Sequence, residues 1–196
     1  MLILASASPR RQQLLRAARI PFVVQPTDIP ENPQSGEHPQ ACAQRLACEK
    51  AAFIARQRPG DLVLGADTIV VVNSEMLGKP VDAGDAARML RLLSGRSHQV
   101  ITGVCLIGPE ARTENRKLRT FEDIRCETTT VSMDALRDAD IRSYIATGEP
   151  MDKAGAYAIQ GMASRWIPRI EGDYSNVVGL PVALVYRMLQ AHGAGL

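Results

Sequence analysis

The chain has 196 residues, 45% of them hydrophobic, which is enough to bury a core in one domain or two joined lobes and excludes a disordered regulator. Lys and Arg number 23 against 21 Asp and Glu, so the net charge of +2 gives no global field for nucleic acid or a membrane surface, and any anion site must be local. Four cysteines (Cys42, Cys48, Cys105, Cys126) without a CxxC pair, and His38, His98 and His192 at no zinc-ligand spacing, exclude a zinc module and fit reduced thiols in the cytoplasm.

Met1 to Ala5 is a short apolar run that stops at Ser6 with no basic leader, so it reads as a first strand rather than a signal peptide. No stretch is long and apolar enough to span a bilayer. After Ser6-Ala7, Ser8 is a good N-cap and Pro9 a good first residue for a helix through Gln12 to Ala18. Phe22 to Gln25 is a second short strand, and Pro26 to Pro39 a polar loop. A long helix follows from about Pro39 to Arg58, ended by Pro59-Gly60. Leu62 to Ala66 and Ile69 to Val72 are strand-forming runs on either side of Asp67-Thr68, which sets an acid in the middle or at a bend of buried β structure. A hairpin is expected at Asn73-Ser74-Glu75, and Asp82 opens a helix that runs to Gly95. Val100 to Ile107 and Cys126 to Val131 are strands joined through the charged stretch Gly108 to Asp123. Two helices, Asp134 to Ala146 and Pro181 to Ala191, bracket an irregular block from Thr147 to Leu180. Strands alternating with helices predict an α/β fold, one domain over residues 1–196, with a largely central sheet.

Three segments carry chemistry. At Ser8-Pro9-Arg10-Arg11 a capped helix N-terminus aims backbone N–H groups outward beside two guanidinium groups, a combination that grips phosphate; the bland alternative is a surface helix with two solvated arginines. In Gly65-Ala66-Asp67-Thr68 an acid emerges from apolar residues and needs a cation or strong donors, as a structural acid or as a catalyst. Lys79, in Gly78-Lys79-Pro80, returns after the hairpin and either faces a metal–phosphate complex near Asp67 or lies in water. The third segment, Asp152 to Gly161, is rich in small residues that let a backbone approach a ligand, and its Gln160 has the donors and acceptor to read a base edge. Its structural alternative is a strand with a bulge at Gly161. Glu31 in the polar loop and Lys50 on the long helix are more often solvated charges than site residues. Walker A, Gly-x-Ser-x-Gly and His-Glu-x-x-His patterns do not occur, which removes P-loop, α/β-hydrolase and zincin readings.

In order along nearly the whole chain, Ser6 to Arg11, Gly65 to Thr68, Gly78-Lys79-Pro80, Ser94-Gly95 through His98 to Val104, Asp152 to Gly161 and Asn176 to Pro181 resemble the Maf family, also called septum formation inhibitors. The resemblance implies an elongated, twisted mixed sheet flanked by helices, with two lobes and a central nucleotide cleft, similar to inosine triphosphate pyrophosphatases. It implies cleavage of dTTP or UTP, and of modified pyrimidine triphosphates, between the α and β phosphates with Mg²⁺ or Mn²⁺. Asp67 then matches the general base, Ser8, Arg10, Lys50 and Lys79 the phosphate contacts, and Glu31 together with Asp67 the metal ligands. Arg11, Thr68 and Gln160 match the set that marks the dTTP/UTP branch. Ala158 stands where the family usually has Gly. A homodimer is also implied, with no nucleic acid or membrane partner. The rival readings are a pyrophosphatase for purine or damaged nucleotides, and a non-catalytic nucleotide-binding regulator of septum formation.

Overall fold

Leu2, Ile3, Leu4 and Ala5 are all buried, because the first strand is covered on both of its faces. In the computed structural model, which describes residues 1–109 and 120–194, this strand, β1 (Leu2–Leu4), pairs in parallel with both β2 (Val23–Val24) and β3 (Leu62–Val72). Further along the chain come β4 (Glu75–Leu77), β5 (Ser97–Pro109), β6 (Thr120–Ser132) and β7 (Arg169–Glu171). The sheet is seven-stranded in the order β2-β1-β3-β5-β6-β7, with β4 paired to β3 off that path. Antiparallel pairing of β4 with β3 and of β7 with β6 makes it mixed. The helices are α1 (Pro9–Ala17), α2 (Pro39–Ala55), α3 (Ala83–Leu93), α4 (Asp138–Ala146), α5 (Tyr174–Val178) and α6 (Val182–Ala191). The fold is α/β, as the alternation of elements predicts.

Two compact units divide the chain, the first made of Met1–Asp67, Thr102–Glu127 and Gly179–Leu196, the second of Thr68–Ile101 and Thr128–Val178. The first unit has two cores, one per sheet face. Leu2, Leu4, Leu64, Val104 and Leu106 point to one side and pack with Leu15 of α1 and with Leu184, Val185 and Met188 of α6. Ile3, Ala5, Val63 and Cys105 point to the other, against Ala47, Ala51 and Ile54 of α2. The alternation of one strand's side chains between two covered faces is why β1 and the start of β3 carry no polar period.

On the α2 side the contact is unusually close. A Cβ added at Gly65 would stand 2.1 Å from the carbonyl oxygen of Ala47, and one added at Gly103 would stand 2.2 Å from that of Ala43. With no side chain at these two strand positions, and only methyls at Ala43, Ala47 and Ala51, the helix backbone rests directly on the strands.

The second unit holds one core, in which Val70, Val72 and Leu77 meet Met89, Leu90 and Leu93 of α3 and Ile141 and Tyr144 of α4. Asp82 caps α3 by accepting from the backbone N–H of Asp85 at 2.7 Å. Several boundaries differ from the sequence expectation. The runs on either side of Asp67 join in one strand, β3, which keeps the acid in its middle, one of the two placements expected. Helix α2 ends at Ala55, three residues early. Helix α4 starts at Asp138 because the backbone N–H of Asp134 donates to the carbonyl of Trp166 and that of Leu136 to Ser94 Oγ, which holds the lead-in extended. The block from Thr147 to Leu180 contains β7 and α5 together with three short 3₁₀ turns. No strand forms at Gly161, which caps a 3₁₀ turn. Most of the charged 108–123 stretch, residues 110–119, lies outside the described residues.

Candidate active site

In the first unit, Ser8 caps α1 as its sequence suggests, its Oγ accepting a long 3.5 Å hydrogen bond from the Arg11 backbone N–H, with Pro9 in the first turn. The Arg11 side chain turns inward and is only 9% exposed. Its Nε donates to the carbonyl oxygen of Gly179 at 2.8 Å and its Nη1 to Ser6 Oγ at 3.1 Å, while Ser6 Oγ also accepts from the Ser8 backbone N–H. Burial lowers the basicity of this guanidinium; the charges of Asp67 and Glu31 act to raise it, and that of Arg10 to lower it again. Arg10 is half-buried on the same turn.

Asp67 follows Val63 and Gly65 on the α2-facing side of β3, two residues per step. Lys50 stands on the buried face of α2 with Ala43, Ala47, Ala51 and Ile54, at spacings of three and four residues. Because Gly65 lets α2 lie so near the strand, the Lys50 ammonium reaches Asp67 Oδ1 at 2.5 Å. Glu31, from the polar loop, is exposed, yet its Oε1 meets the same ammonium at 2.6 Å. Lys50 is 5% exposed and so is not the solvated charge that its residue type suggests, and Asp67, at 7%, is the buried acid that its apolar neighbours predict. An ammonium this deep is tolerable only with such partners.

The donor set suits a divalent cation of the Mg²⁺ kind, which is commonly held by one or two carboxylates with water and phosphate oxygens completing its shell. Glu31 and Asp67, drawn together on Lys50, supply two carboxylates. Among the described residues no group of three or more His, Cys, Asp or Glu forms an all-protein cage.

Thr68, Lys79 and Gln160 belong to the second unit. Thr68 is half-buried on β3. The β3–β4 register pairs Val70 with Leu77, so the exposed Lys79 lies just past the strand end that returns toward Thr68. Gln160 is exposed in a turn between two 3₁₀ segments. Ahead of it, Gly155 and Ala156 both have positive φ (69° and 59°), and a Cβ at Gly155 would stand 3.0 Å from Val70. Asn176 donates to the Val100 carbonyl and to Thr129 Oγ1, bracing β5 to β6 within this unit.

His98, on β5, is 3% exposed, and its Nε2 is 2.7 Å from the Tyr157 hydroxyl. Burial pushes its pKa down from 6.5 to about 4. The unfolded chain therefore binds more protons than the folded one between these values. The stability that a neutral His98 allows is complete above pH 6.5 and is lost as pH falls toward 4. A loss of about 3 kcal/mol between pH 7 and pH 4 is expected from this residue. Urea unfolding of the native chain and of His98→Gln at both pH values checks it, the variant showing the shallower decline.

Sequence reasoning missed Ser6 and Gly179 as the partners of Arg11, and Tyr144 and Glu149, which bond to the segment carrying Gln160. Gly179 lay in the Asn176 to Pro181 segment, which carried the family resemblance but no assigned role. Glu149 had only the adjoining small-residue block as a signal.

A buried guanidinium on a capped helix turn and a buried ammonium shared by two carboxylates thus lie in one unit of this α/β chain. The chain belongs to the Maf-like protein family, whose model matches residues 1–192. It is 56% identical over 192 residues to a protein of Koribacter versatilis named dTTP/UTP pyrophosphatase, covering 98% of this chain and 94% of that one. A Symbiobacterium thermophilum protein of the same name is 49% identical over 192 residues, with 98% and 94% covered. A crystal structure titled nucleoside-triphosphatase / dITP/XTP pyrophosphatase, from Mycobacterium abscessus, superposes with a TM-score of 0.41 at 14% identity, over 69% of this chain and 75% of that one. Among the described residues no helix is long and apolar enough to cross a membrane.

Proposed function

We propose that the chain hydrolyses dTTP and UTP to the nucleoside monophosphate and pyrophosphate, in the cytoplasm and with a divalent cation. The observation that carries this reading is the buried Lys50 ammonium between Asp67 and Glu31, within the electrostatic reach of Arg11. Names borne by relatives about half identical over nearly the whole chain support the same substrates.

Attack on an α-phosphorus is hindered by the negative oxygens around it and by charge growing on the departing pyrophosphate. Asp67 is assigned to orient the attacking water and take its proton, its carboxylate fixed by Lys50. Lys50, Arg10 and Lys79 supply positive charge to the phosphates, and Ser8 holds open the helix turn whose backbone N–H groups face an anion. Arg11, Thr68 and Gln160 are assigned to the choice of base. Glu31 and Asp67 would hold the cation, which would neutralise charge on the triphosphate.

The test is a panel of nucleoside triphosphates incubated with Mg²⁺ or Mn²⁺ and scored for products. Monophosphate and pyrophosphate from dTTP and UTP in preference to purine nucleotides is the expected result. Orthophosphate release would refute the scissile bond, a purine preference would refute the substrate, and nucleotide binding without any product would make the chain a regulator.

A further inference from the structure

Gln160 sits on the surface in a turn that is braced from beneath at both ends. The Ala158 backbone N–H donates to the Tyr144 hydroxyl oxygen at 3.1 Å, and that hydroxyl donates to Glu149 Oε1 at 2.8 Å. The other oxygen of the same carboxylate accepts from the Met162 backbone N–H at 3.2 Å. The Gly161 backbone N–H closes the turn on the Ala158 carbonyl at 3.1 Å. One phenol and one carboxylate thus hold the residues on either side of Gln160.

The fit depends on Gly161, since a Cβ there would lie 2.1 Å from Glu149 Oε1. Tyr144 is fully buried, and it uses its hydroxyl both as acceptor and as donor. Glu149 is anchored in turn, its own backbone carbonyl accepting from Lys153 Nζ at 2.7 Å. Immediately before the turn, Tyr157 is tied to His98. All these groups lie in the second unit, so the brace is complete within it.

We propose that Tyr144 and Glu149 are positioning residues which fix the Ala158–Met162 turn so that Gln160 presents its amide to the nucleobase, and thereby set base selection. The proposal rests on the assignment of Gln160 to base choice made above. Neither residue touches substrate. Each acts through the turn, so loss of either affects binding of the correct base more than the chemical step.

The experiment compares Tyr144→Phe, Glu149→Gln and Gln160→Ala in the full chain, measuring kcat and KM with dTTP and with dGTP. Phe keeps the ring and removes the hydroxyl; Gln keeps the length and exchanges one acceptor oxygen for a donor. In each brace variant the KM for dTTP is expected to rise roughly ten-fold with kcat changed by less than about three-fold, and the dTTP:dGTP preference to fall toward that of Gln160→Ala. Adding Tyr144→Phe to Gln160→Ala should cost the preference nothing more, because both act on one interaction. A lowered melting temperature with an intact preference would make the pair fold supports and overturn the proposal. An unchanged preference in Gln160→Ala would overturn the Gln160 assignment and the proposal with it, whereas a lost preference there and an intact one in the brace variants would overturn the brace alone. Hydrogen exchange of the native chain needs no variant: the Ala158 and Met162 amides are expected to be protected, and exchange at free-turn rates would overturn the brace.

Discussion

Asp67→Asn is expected to fold and to release pyrophosphate from dTTP at least about a hundred-fold more slowly than the native chain. Asn preserves the shape of the side chain and keeps an oxygen for Lys50, which also retains Glu31 as a charged partner, so the buried ammonium is not stranded. What disappears is the negative charge and the basicity needed to draw a proton from water at the α-phosphorus. Nucleotide affinity should fall far less than turnover, since the cationic groups assigned to the phosphates remain. Single-turnover product formation, with circular dichroism as the check on folding, decides the matter. A folded variant with native turnover would remove Asp67 from the reaction.

Gly65→Ala is expected to lower stability by about 3 kcal/mol, which for a chain of this size is a fall of roughly 10 °C in melting temperature. The added methyl meets the Ala47 carbonyl oxygen at 2.1 Å and the Ala51 backbone nitrogen at 2.9 Å, and neither is a side chain that can rotate away. Helix α2 must lift from β3, and Lys50 lifts with it. Turnover should therefore drop even at temperatures where the variant is still folded, because the Lys50–Asp67 pair spans that contact. Gly60→Ala is the matched control, since a methyl there has nothing within 4 Å, and its effect should stay within about 0.5 kcal/mol. Equal melting curves for the two variants would refute the close approach of helix to strand.

Features governed by neighbouring residues are legible in the sequence. Ser8-Pro9 announced the start of α1 and Asp82 the start of α3, because a cap is a matter of three or four consecutive residues. The unbroken apolar run of β1 announced a first strand. Pairings across long sequence intervals were not. Strand β7 is three residues long and exists because β6 offers it a register, Val131 opposite Ile170. Lys50 looks like any lysine on an alanine-rich helix until Asp67, seventeen positions later, is seen beneath it. Gly65 drew notice only as a neighbour of the acid, whereas its packing role depends on which helix covers it. For Glu31 the family resemblance supplied a role that residue type alone would not have supplied, whereas the amide of Gln160 suggested base reading by its own chemistry.

The discontinuous make-up of the first unit bears on how the chain matures. Arg11 is anchored by Gly179, 168 positions downstream, and the core beneath β1 is finished by Leu184, Val185 and Met188. A ribosome releasing this chain exposes the opening strand and its arginine turn long before the helix that covers them has been made. That apolar surface must wait, uncovered, through the whole synthesis of the second unit, and such waiting surfaces are what chaperones bind. Competence for catalysis should thus arrive only once α6 has been made.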